Sequence, residues 1–341
     1  MVGPESSELE KKHFPQSPAE VPKDLSFLES IPDVKKQIES LPTVEYVVGR
    51  RLHLYQGFWQ LTVALVGILS CQKHFEARET DVLLVSCPKT GTTWLKALAF
   101  AVLKRVQFPD MKKHHPLLTS CPHELVRGIE FEYIKSTSPD FETFGEPRLL
   151  ASHIPFVSLP TSVVKSGCKI VYVSRDPKDA FLSWWMFVNK IRPKDTSEVS
   201  LDAAFDFFTK GIVGSGSYWD HVLGYWKQSL ENPKRVLFLR YEEIKNDPHQ
   251  VVRKLSEFLD CPFSSKEEDD GLVDDIVNLC SFDNLSNLDV NVNGKFAAGV
   301  PNNTFFRRGV VGDSVNYLSP EQAKLVDQIT VEKFKGSDLM Y

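Results

Sequence analysis

A lysine, a glycine and three threonines lie close together directly after a short apolar run. The run DVLLVS at 81–86 leads into Cys87-Pro88-Lys89-Thr90-Gly91-Thr92-Thr93-Trp94. If the run is a strand and a helix follows the glycine, backbone N–H groups point into the loop, where they favour an anion. Lys89 adds a mobile positive charge, and Thr92 and Thr93 add hydroxyl donors. The pattern therefore predicts a phosphate-binding loop.

The order of residues differs from that of the loop that binds nucleoside triphosphates. That loop reads GxxxxGK[ST], with the lysine after the second glycine, whereas Lys89 precedes Gly91. A nucleotide kinase, which would also place a phosphate loop after a first strand, is therefore the weaker interpretation. In the third interpretation the segment is an ordinary strand-to-helix turn, and its threonines are only helix caps.

Two other groups of residues suit a second phosphate, which needs a bidentate cation and hydroxyl or amide donors. Arg175 follows a predicted strand, and Ser183 lies two helical turns into the next predicted helix. Both can reach one anion if the intervening turn curls around it, and Arg307, Arg308 and Gly309 would close its other side. Taken separately, the arginine pair is more typical of a solvated surface, and the serine of an exposed helix face.

The elements that must position these residues alternate along the chain. Continuous Val, Ile and Leu runs separated by helical patterns indicate a parallel sheet covered on both faces. We therefore predict a single α/β domain with a central, mainly parallel sheet flanked by helices and a P-loop-like phosphate-binding loop after its first core strand. Ligands of such sheets bind outside the carboxyl ends of the strands. The predicted strands are 81–86, 149–152, 169–174 and 235–240, and the predicted helices are 92–105, 177–190, 201–212, 217–230, 248–259 and 270–280.

Composition and charge narrow the class of protein. The chain of 341 residues has a net charge of −5, which does not support nucleic-acid binding. Six scattered cysteines without a CxxC pair indicate reduced thiols in the cytoplasm and no metal site. Residues 1–40 are predicted to be a flexible tail and 41–341 one domain. The apolar run 58–71 is shorter than the ~20 residues of a membrane span, so we predict a buried helix.

Three segments resemble motifs of the cytosolic sulfotransferases, in the order in which that family carries them. CPKTGTTWLKAL resembles the 5′-phosphosulfate loop, usually YPKSGTTW, with Cys87 for tyrosine and Thr90 for serine. YVSRDPKDAFLSWW resembles the 3′-phosphate motif, and FFRRGVVGD resembles the carboxyl-terminal RKGxxGDW, with Ser314 in place of tryptophan. The resemblance runs from about residue 45 to the end. HFEARETDVLLVS and SHIPF look most like the plant branch.

This resemblance implies a sulfotransferase that uses 3′-phosphoadenosine 5′-phosphosulfate (PAPS) as its donor. The sulfuryl group would go to a hydroxyl of a small apolar acceptor, such as a flavonoid, a steroid or a hydroxylated plant hormone. Trp94, Tyr241 and Phe282 match family residues at the adenine, where stacking on a base is worth ~1–3 kcal/mol. The implied donor-binding residues are Lys89, Thr90, Gly91, Thr92, Thr93, Trp94, Arg175, Ser183, Tyr241, Phe282, Arg307, Arg308 and Gly309.

His153 is the catalytic base that the resemblance implies. An acceptor hydroxyl loses a proton as it attacks sulfur, and histidine is the commonest base near neutral pH. Among nine histidines only His153 closes a predicted strand, in a segment similar to the family's THxP; a lone histidine of this kind is otherwise a structural core residue. Lys89 is the second implied catalytic residue, because it would stabilise charge on the leaving phosphate. Ala151 stands where animal members often have a lysine.

Two alternatives remain at this point, a nucleotide kinase-like phosphotransferase and a non-catalytic PAPS-binding protein. A Golgi carbohydrate sulfotransferase would carry an amino-terminal membrane anchor, which we do not expect here. The animal dimer motif KxxxTVxxxE is absent near 315–324, so we expect a monomer or a weak homodimer and no nucleic-acid or membrane partner. The aromatic residues expected to line an acceptor pocket lie within 55–59 and at Phe156, Trp184 and Trp185.

Overall fold

The computed structural model describes residues 31–136, 138–296 and 299–341. Within these ranges the strands are β1 (Thr43–Glu45), β2 (Arg51–Tyr55), β3 (Phe58–Leu61), β4 (Val82–Ser86), β5 (Leu149–Ser152), β6 (Lys169–Ser174) and β7 (Val236–Arg240). The helices are α1 (Pro32–Glu39), α2 (Thr62–His74), α3 (Thr92–Lys104), α4 (Pro122–Leu125), α5 (Ile129–Lys135), α6 (Thr161–Lys165), α7 (Pro177–Ile191), α8 (Leu201–Thr209), α9 (Tyr218–Glu231), α10 (Tyr241–Asn246), α11 (Pro248–Phe258), α12 (Ser265–Asp269), α13 (Leu272–Leu279), α14 (Phe282–Asn287), α15 (Asp289–Val292) and α16 (Pro320–Lys333).

The larger sheet has four parallel strands in the order β5-β4-β6-β7, which confirms the predicted α/β fold. Every residue of β4 is buried, as are all residues of β6 after the first. The residues between the ends of these strands are apolar because helices cover both faces of the sheet. The predicted strands agree with the observed bounds within one residue, and the predicted helices within three.

Alternate residues of the central strands face two separate apolar layers. On one face, Val85 and Tyr172 pack among residues of α2, α7 and α9. On the other, Leu84 and Val171 pack among residues of α3, α11 and α13. Each strand therefore has no polar side, which is why its sequence shows no alternation.

The start of the apolar run 58–71 is a strand, which corrects the prediction of one buried helix. Phe58–Leu61 is β3, and it pairs antiparallel with β2 across a turn at Gln56 and Gly57, whose φ angles are 49° and 84°. The rest of the run lies in α2, which is largely buried as expected. A continuous apolar run carries no periodicity that separates strand from helix. No helix in the described ranges is long and apolar enough to cross a membrane.

The packed part of the chain begins before residue 41. Residues 1–30 of the predicted tail lie outside the described residues, but Pro32–Glu39 forms α1. Ile38 of this helix is 2% exposed and packs in a small cluster with Leu65 and Leu69 of α2. A single apolar contact surface on a charged eight-residue helix is a weak signal in sequence.

Helices α2 and α5 pack closely at Gly67. A Cβ atom there would lie 2.2 Å from the backbone oxygen of Glu130. We expect Gly67→Ala to lower the free energy of unfolding by about 1–3 kcal/mol through overpacking, measured by chemical denaturation. Gly224→Ala in α9 is the matched control, because its nearest neighbour would be 3.7 Å away. That variant should be unchanged or more stable by about 0.5–1 kcal/mol, and equal stabilities of the two variants would contradict the prediction.

Candidate active site

The carboxyl ends of the four parallel strands bring the predicted site residues to one edge of the sheet. β4 ends at Ser86 and leads into the loop, and His153 directly follows β5. Arg175 directly follows β6, and Tyr241 directly follows β7. Residues that are 66 to 89 positions apart in sequence thus lie on neighbouring strand ends.

Unusual backbone angles shape the loop after β4. Lys89 and Gly91 have φ angles of 75° and 118°. A Cβ on Gly91 would lie 2.9 Å from Cδ2 of Tyr241, so glycine satisfies both the backbone and the packing at this position. The buried hydroxyl of Thr90 lies 2.9 Å from the carbonyl oxygen of Val173 and ties the loop to β6. The side chain of Thr90 therefore holds the shape of the loop.

The next two threonines begin α3 and make different contacts. Oγ1 of Thr92 lies 2.6 Å from Oγ of Ser86, and Oγ1 of Thr93 lies 2.9 Å from Nε2 of His123. Gly91, in the left-handed region, is the N-cap of α3, and neither threonine caps it with its side chain. The first N–H groups of this 13-residue helix consequently face the loop, as the phosphate-binding interpretation requires.

Positive charges gather around Lys89. Its Nζ lies 4.1 Å from the ring centre of Phe187, and none of the described carboxylates forms an ion pair with it. Burial and three neighbouring cations lower the pKa of Lys89 to about 7. Those cations are Arg175, Arg307 and Lys190. An arrangement that costs this much repulsion is suited to an anion, which would raise the pKa of the lysine again.

Arg175 and Arg307 each keep a buried donor that no described residue accepts. Nη2 of Arg175 donates to Asp179 at 3.1 Å and to the carbonyl oxygen of Val310 at 2.7 Å, while its Nε has no partner. Arg307 forms an ion pair with Asp313 through Nη1, while its Nη2 has no partner. A buried N–H without an acceptor is costly, so these groups fit an anionic ligand.

A buried carboxylate fixes the carboxyl-terminal segment against α7. Asp179 is fully buried, and it accepts the backbone N–H of Gly312 at 2.8 Å and of Ser314 at 3.0 Å. Ser314, which stands where the family motif has tryptophan, is itself buried. The same helix carries Ser183, 6% exposed, one turn beyond Asp179.

The two arginines of the carboxyl-terminal segment differ in burial. The side chain of Arg307 is 19% exposed, whereas that of Arg308 is 55% exposed and donates to Asp313 at 2.9 Å. Gly309 follows with a φ angle of 63°, and a Cβ there would lie 2.5 Å from Cδ2 of Phe282. Arg307 is thus the arginine beside Lys89, and Gly309 allows the segment to pack on the ring of Phe282.

Tyr241, which is also predicted at the adenine, lies under Arg175. The guanidinium of Arg175 sits 4.4 Å from the ring centre of Tyr241. Trp94 packs edge-on against Tyr241, with 5.5 Å between ring centres. Residues that follow β4, β6 and β7 therefore meet around the ring of Tyr241.

His153 is held in one orientation and one protonation form. Its Nδ1 lies 2.8 Å from the carbonyl oxygen of Ser86, and its backbone N–H donates to Glu130 at 2.7 Å. Because a carbonyl only accepts, Nδ1 carries the ring proton and Nε2 keeps a free lone pair. Burial and neighbouring cations, including Lys96, lower the pKa of His153 to about 4. The imidazole is therefore neutral near pH 7 and can accept a proton.

A second histidine supports the backbone of His153. Nε2 of His221 lies 3.1 Å from the carbonyl oxygen of His153, and Nδ1 lies 2.9 Å from the hydroxyl of Tyr172. Burial lowers the pKa of His221 to about 4, so it too is neutral. His221 and Glu130 thus hold the carbonyl and the N–H of the same residue from opposite sides of the chain.

The aromatic residues expected around an acceptor are spread over separate contacts. The hydroxyl of Tyr55 donates to Gln72 at 2.7 Å, and the indole of Trp185 donates to the carbonyl oxygen of Val199 at 2.8 Å. Phe156 packs edge-on against Tyr225. These side chains are engaged in the fold, because each has a partner outside the loop and His153.

Trp184 and Phe131 lie nearer the loop and the histidine. Trp184 lines a small apolar cavity together with Cys87, Pro88 and Phe208. Phe131 is 36% exposed and packs edge-on against His153, with 6.0 Å between ring centres. Apolar side chains therefore lie beside both the loop after β4 and His153. Among the described side chains, no group of three or more His, Cys, Asp or Glu is placed to hold a metal.

Comparison with known proteins identifies this arrangement. Residues 79–338 match the family model described as Sulfotransferase domain. The chain belongs to the sulfotransferase family. Cytosolic sulfotransferase 12 of Arabidopsis thaliana is 43% identical over 326 residues, which cover 95% of this chain and 99% of the relative.

Solved structures agree with the assignment. A candidate steroid sulphotransferase of Arabidopsis thaliana is 38% identical, with a TM-score of 0.75 and coverage of 94% of this chain and 99% of its own. A mouse sulfotransferase complexed with PAP is 32% identical, with a TM-score of 0.65 and coverage of 84% and 95%. The resemblance to the plant branch is confirmed, and this sulfotransferase is an enzyme of sulfuryl transfer.

Several residues of this sulfotransferase site escaped the sequence analysis. Asp179 could have been found, since it lies four residues after Arg175 in the charged string RDPKD. Glu130, His221 and His123 had no such signal, because their partners lie on distant elements. Glu130 lies in α5 together with Glu132 and Lys135, so its charge did not stand out in the sequence.

Proposed function

We propose that this sulfotransferase moves the sulfuryl group of PAPS to a hydroxyl of a small apolar acceptor, with His153 as general base. The observation that carries the proposal is the set of unpartnered donors on Arg175 and Arg307 beside Lys89, at the strand edge that also holds a neutral His153. Such a site attracts an anion and places a proton acceptor beside it.

The donor would be held by two groups of residues. The 5′ side fits the loop, where Lys89, Thr92 and Thr93 offer charge and hydroxyl donors. The 3′-phosphate fits Arg175 and Arg307 with their free N–H groups, together with Ser183, Arg308 and Gly309, while Trp94, Tyr241 and Phe282 supply flat surfaces for adenine. Support comes from the mouse relative, which was solved with 3′-phosphoadenosine 5′-phosphate (PAP).

The proposed reaction is an in-line displacement at sulfur. The acceptor oxygen attacks sulfur and gives its proton to Nε2 of His153, which has a free lone pair because Nδ1 is bonded to Ser86. A sulfur–oxygen bond forms as the bond between sulfur and the 5′-phosphate oxygen breaks, and PAP leaves with the bonding electrons. Lys89 stabilises the charge that develops on that oxygen.

We further propose that the enzyme works in the cytoplasm as a monomer or weak homodimer. The relatives named cytosolic sulfotransferases support this location. All six cysteines are free, and five of them are buried. For the acceptor class, apolar surface at Phe131 and Trp184 favours a hydroxylated apolar compound.

The enzyme should prefer PAP to AMP. Loss of one charge-assisted hydrogen bond costs about 1.5–3 kcal/mol, so the loss of the 3′-phosphate contacts should weaken binding by at least about 100-fold. Titration calorimetry with both nucleotides measures this ratio. Ser183→Ala should lower the ratio of the two affinities, because it should weaken the binding of PAP and leave the binding of AMP unchanged. Equal affinity for PAP and AMP would contradict the proposal that these residues bind a 3′-phosphate.

Small phenols, steroids or hydroxylated plant hormones should be the accepted class of acceptor. The test incubates the enzyme with PAPS and a panel of plant metabolites and searches for products that have gained a sulfuryl group by mass spectrometry. Apolar hydroxylated compounds should react because the site is bordered by aromatic surface. Efficient sulfation of heparan-like chains without turnover of any small acceptor would contradict the proposed class.

His153→Ala should reduce kcat by about 10²–10⁴-fold, since it removes the general base. The affinity of this variant for PAP should change little. Lys89→Ala should lose both turnover and affinity for PAP, because the lysine side chain contacts the donor before and during the reaction. Turnover and calorimetry on both variants measure the difference. His114→Ala is the control, because that side chain is 81% exposed and should leave turnover unchanged. Near-normal turnover of His153→Ala would make this histidine structural.

A further inference from the structure

Three side chains form a hydrogen-bonded line from the protein interior to the phosphate loop. Nζ of Lys96, in α3, lies 3.2 Å from Nδ1 of His123. Nε2 of the same imidazole lies 2.9 Å from Oγ1 of Thr93, one turn earlier in α3. The line thus ends on the hydroxyl of Thr93, a proposed donor-binding residue.

Hydrogen-bond chemistry gives this line a direction. A lysine ammonium can only donate, so Nδ1 of His123 accepts. Burial, with the charges of Lys96 and Lys89, keeps the pKa of His123 well below its usual value, and the neutral ring therefore carries its proton on Nε2. That N–H donates to Oγ1 of Thr93. The hydroxyl proton of Thr93 finds no acceptor among the described residues and is left to donate to a ligand.

Lys96 is an unusual residue for a helix interior. It is 5% exposed, and no carboxylate within the described ranges lies within ion-pair distance of its Nζ. Buried lysines are rarely found without a paired carboxylate, because the cost of removing the charge from water is high. Burial lowers the pKa of Lys96 to about 8, although Glu130 opposes the shift, so the side chain is still mainly charged near pH 7. An apolar residue would fill this space at lower cost if packing were its only role.

Two aromatic rings hold His123 in place. Its ring centre lies 4.1 Å from that of Phe305 and 5.8 Å from that of Phe296. Phe305 also lies 5.9 Å from Nζ of Lys89 and begins the segment that carries Arg307. The imidazole is therefore fixed between the loop and the carboxyl-terminal segment, with its two nitrogen atoms pointing along the line.

We propose that Lys96 and His123 are positioning residues, which turn and polarise the Thr93 hydroxyl so that it donates to the anionic group of the donor. This inference rests on the proposed function, because it requires the donor to lie at the loop. Each hydrogen bond in a chain strengthens the next, so the buried positive charge would act on the donor through His123 and Thr93. Lys96 itself need not touch the donor.

A double-mutant cycle separates this role from a structural one. Lys96→Met and Thr93→Val should each weaken PAP binding about tenfold, and the double variant should bind no worse than Thr93→Val alone. Titration calorimetry gives these affinities. The matched control combines Lys96→Met with Ser183→Ala, a donor contact outside the line, and there the two losses should multiply. Multiplied losses for Lys96→Met with Thr93→Val would overturn the inference.

A second variant covers the case in which Lys96→Met does not fold. His123→Phe keeps a flat ring between Phe305 and Phe296 but removes both nitrogen atoms, and it should match Thr93→Val in PAP affinity and in KM for PAPS. KM for the acceptor should stay unchanged in all these variants. A His123→Phe protein that binds PAP as tightly as the wild type would overturn the inference. A wild-type protein that does not bind PAP would overturn the proposed function, and this inference with it.

Discussion

The register in which β4 hydrogen-bonds to its two neighbours is the constraint on which the site depends. Val85 pairs with Ser152 on one side and with Tyr172 on the other. This alignment brings Ser86 and His153 to the same edge, where they bond at 2.8 Å. A slip of one residue would turn the alternating side chains to the opposite faces of the sheet. The apolar layers on both faces oppose any such slip, because each layer packs against its own set of strand residues.

Positive charge at this edge is held in place and only partly neutralised. Asp179 binds Arg175 and Asp313 binds both arginines of the carboxyl-terminal segment, so their positions are set before any ligand arrives. Neither carboxylate pairs with Lys89, and burial together with the neighbouring cations keeps the pKa of this lysine low. Attraction of an anion is stronger in such a partly dry site than in bulk water. A chain with a net charge of −5 therefore concentrates cations where the chemistry requires them.

His153, the proposed base, is fixed by contacts from three different elements. Its side chain bonds to Ser86 of β4, its N–H to Glu130 of α5, and its carbonyl to His221 of α9. None of these bonds uses Nε2, so the lone pair of that nitrogen stays free. A base that is oriented before the substrate arrives does not have to reorganise during the reaction. The line from Lys96 to Thr93 would extend the same principle to the donor.

The sequence by itself determined the strands of the parallel sheet, the loop around Lys89 and the order of the family motifs, because these depend on local periodicity and on residues adjacent in the chain. It did not reveal β3, since an unbroken apolar run has no period. Only the tertiary structure decided that Arg307 is more buried than Arg308, that Glu130 contacts His153 and that Lys96 contacts His123. Their partners lie on other elements, and the crossover connections between parallel strands determine how close these elements come to one another. The residues next to a side chain in sequence do not indicate which distant element it will contact.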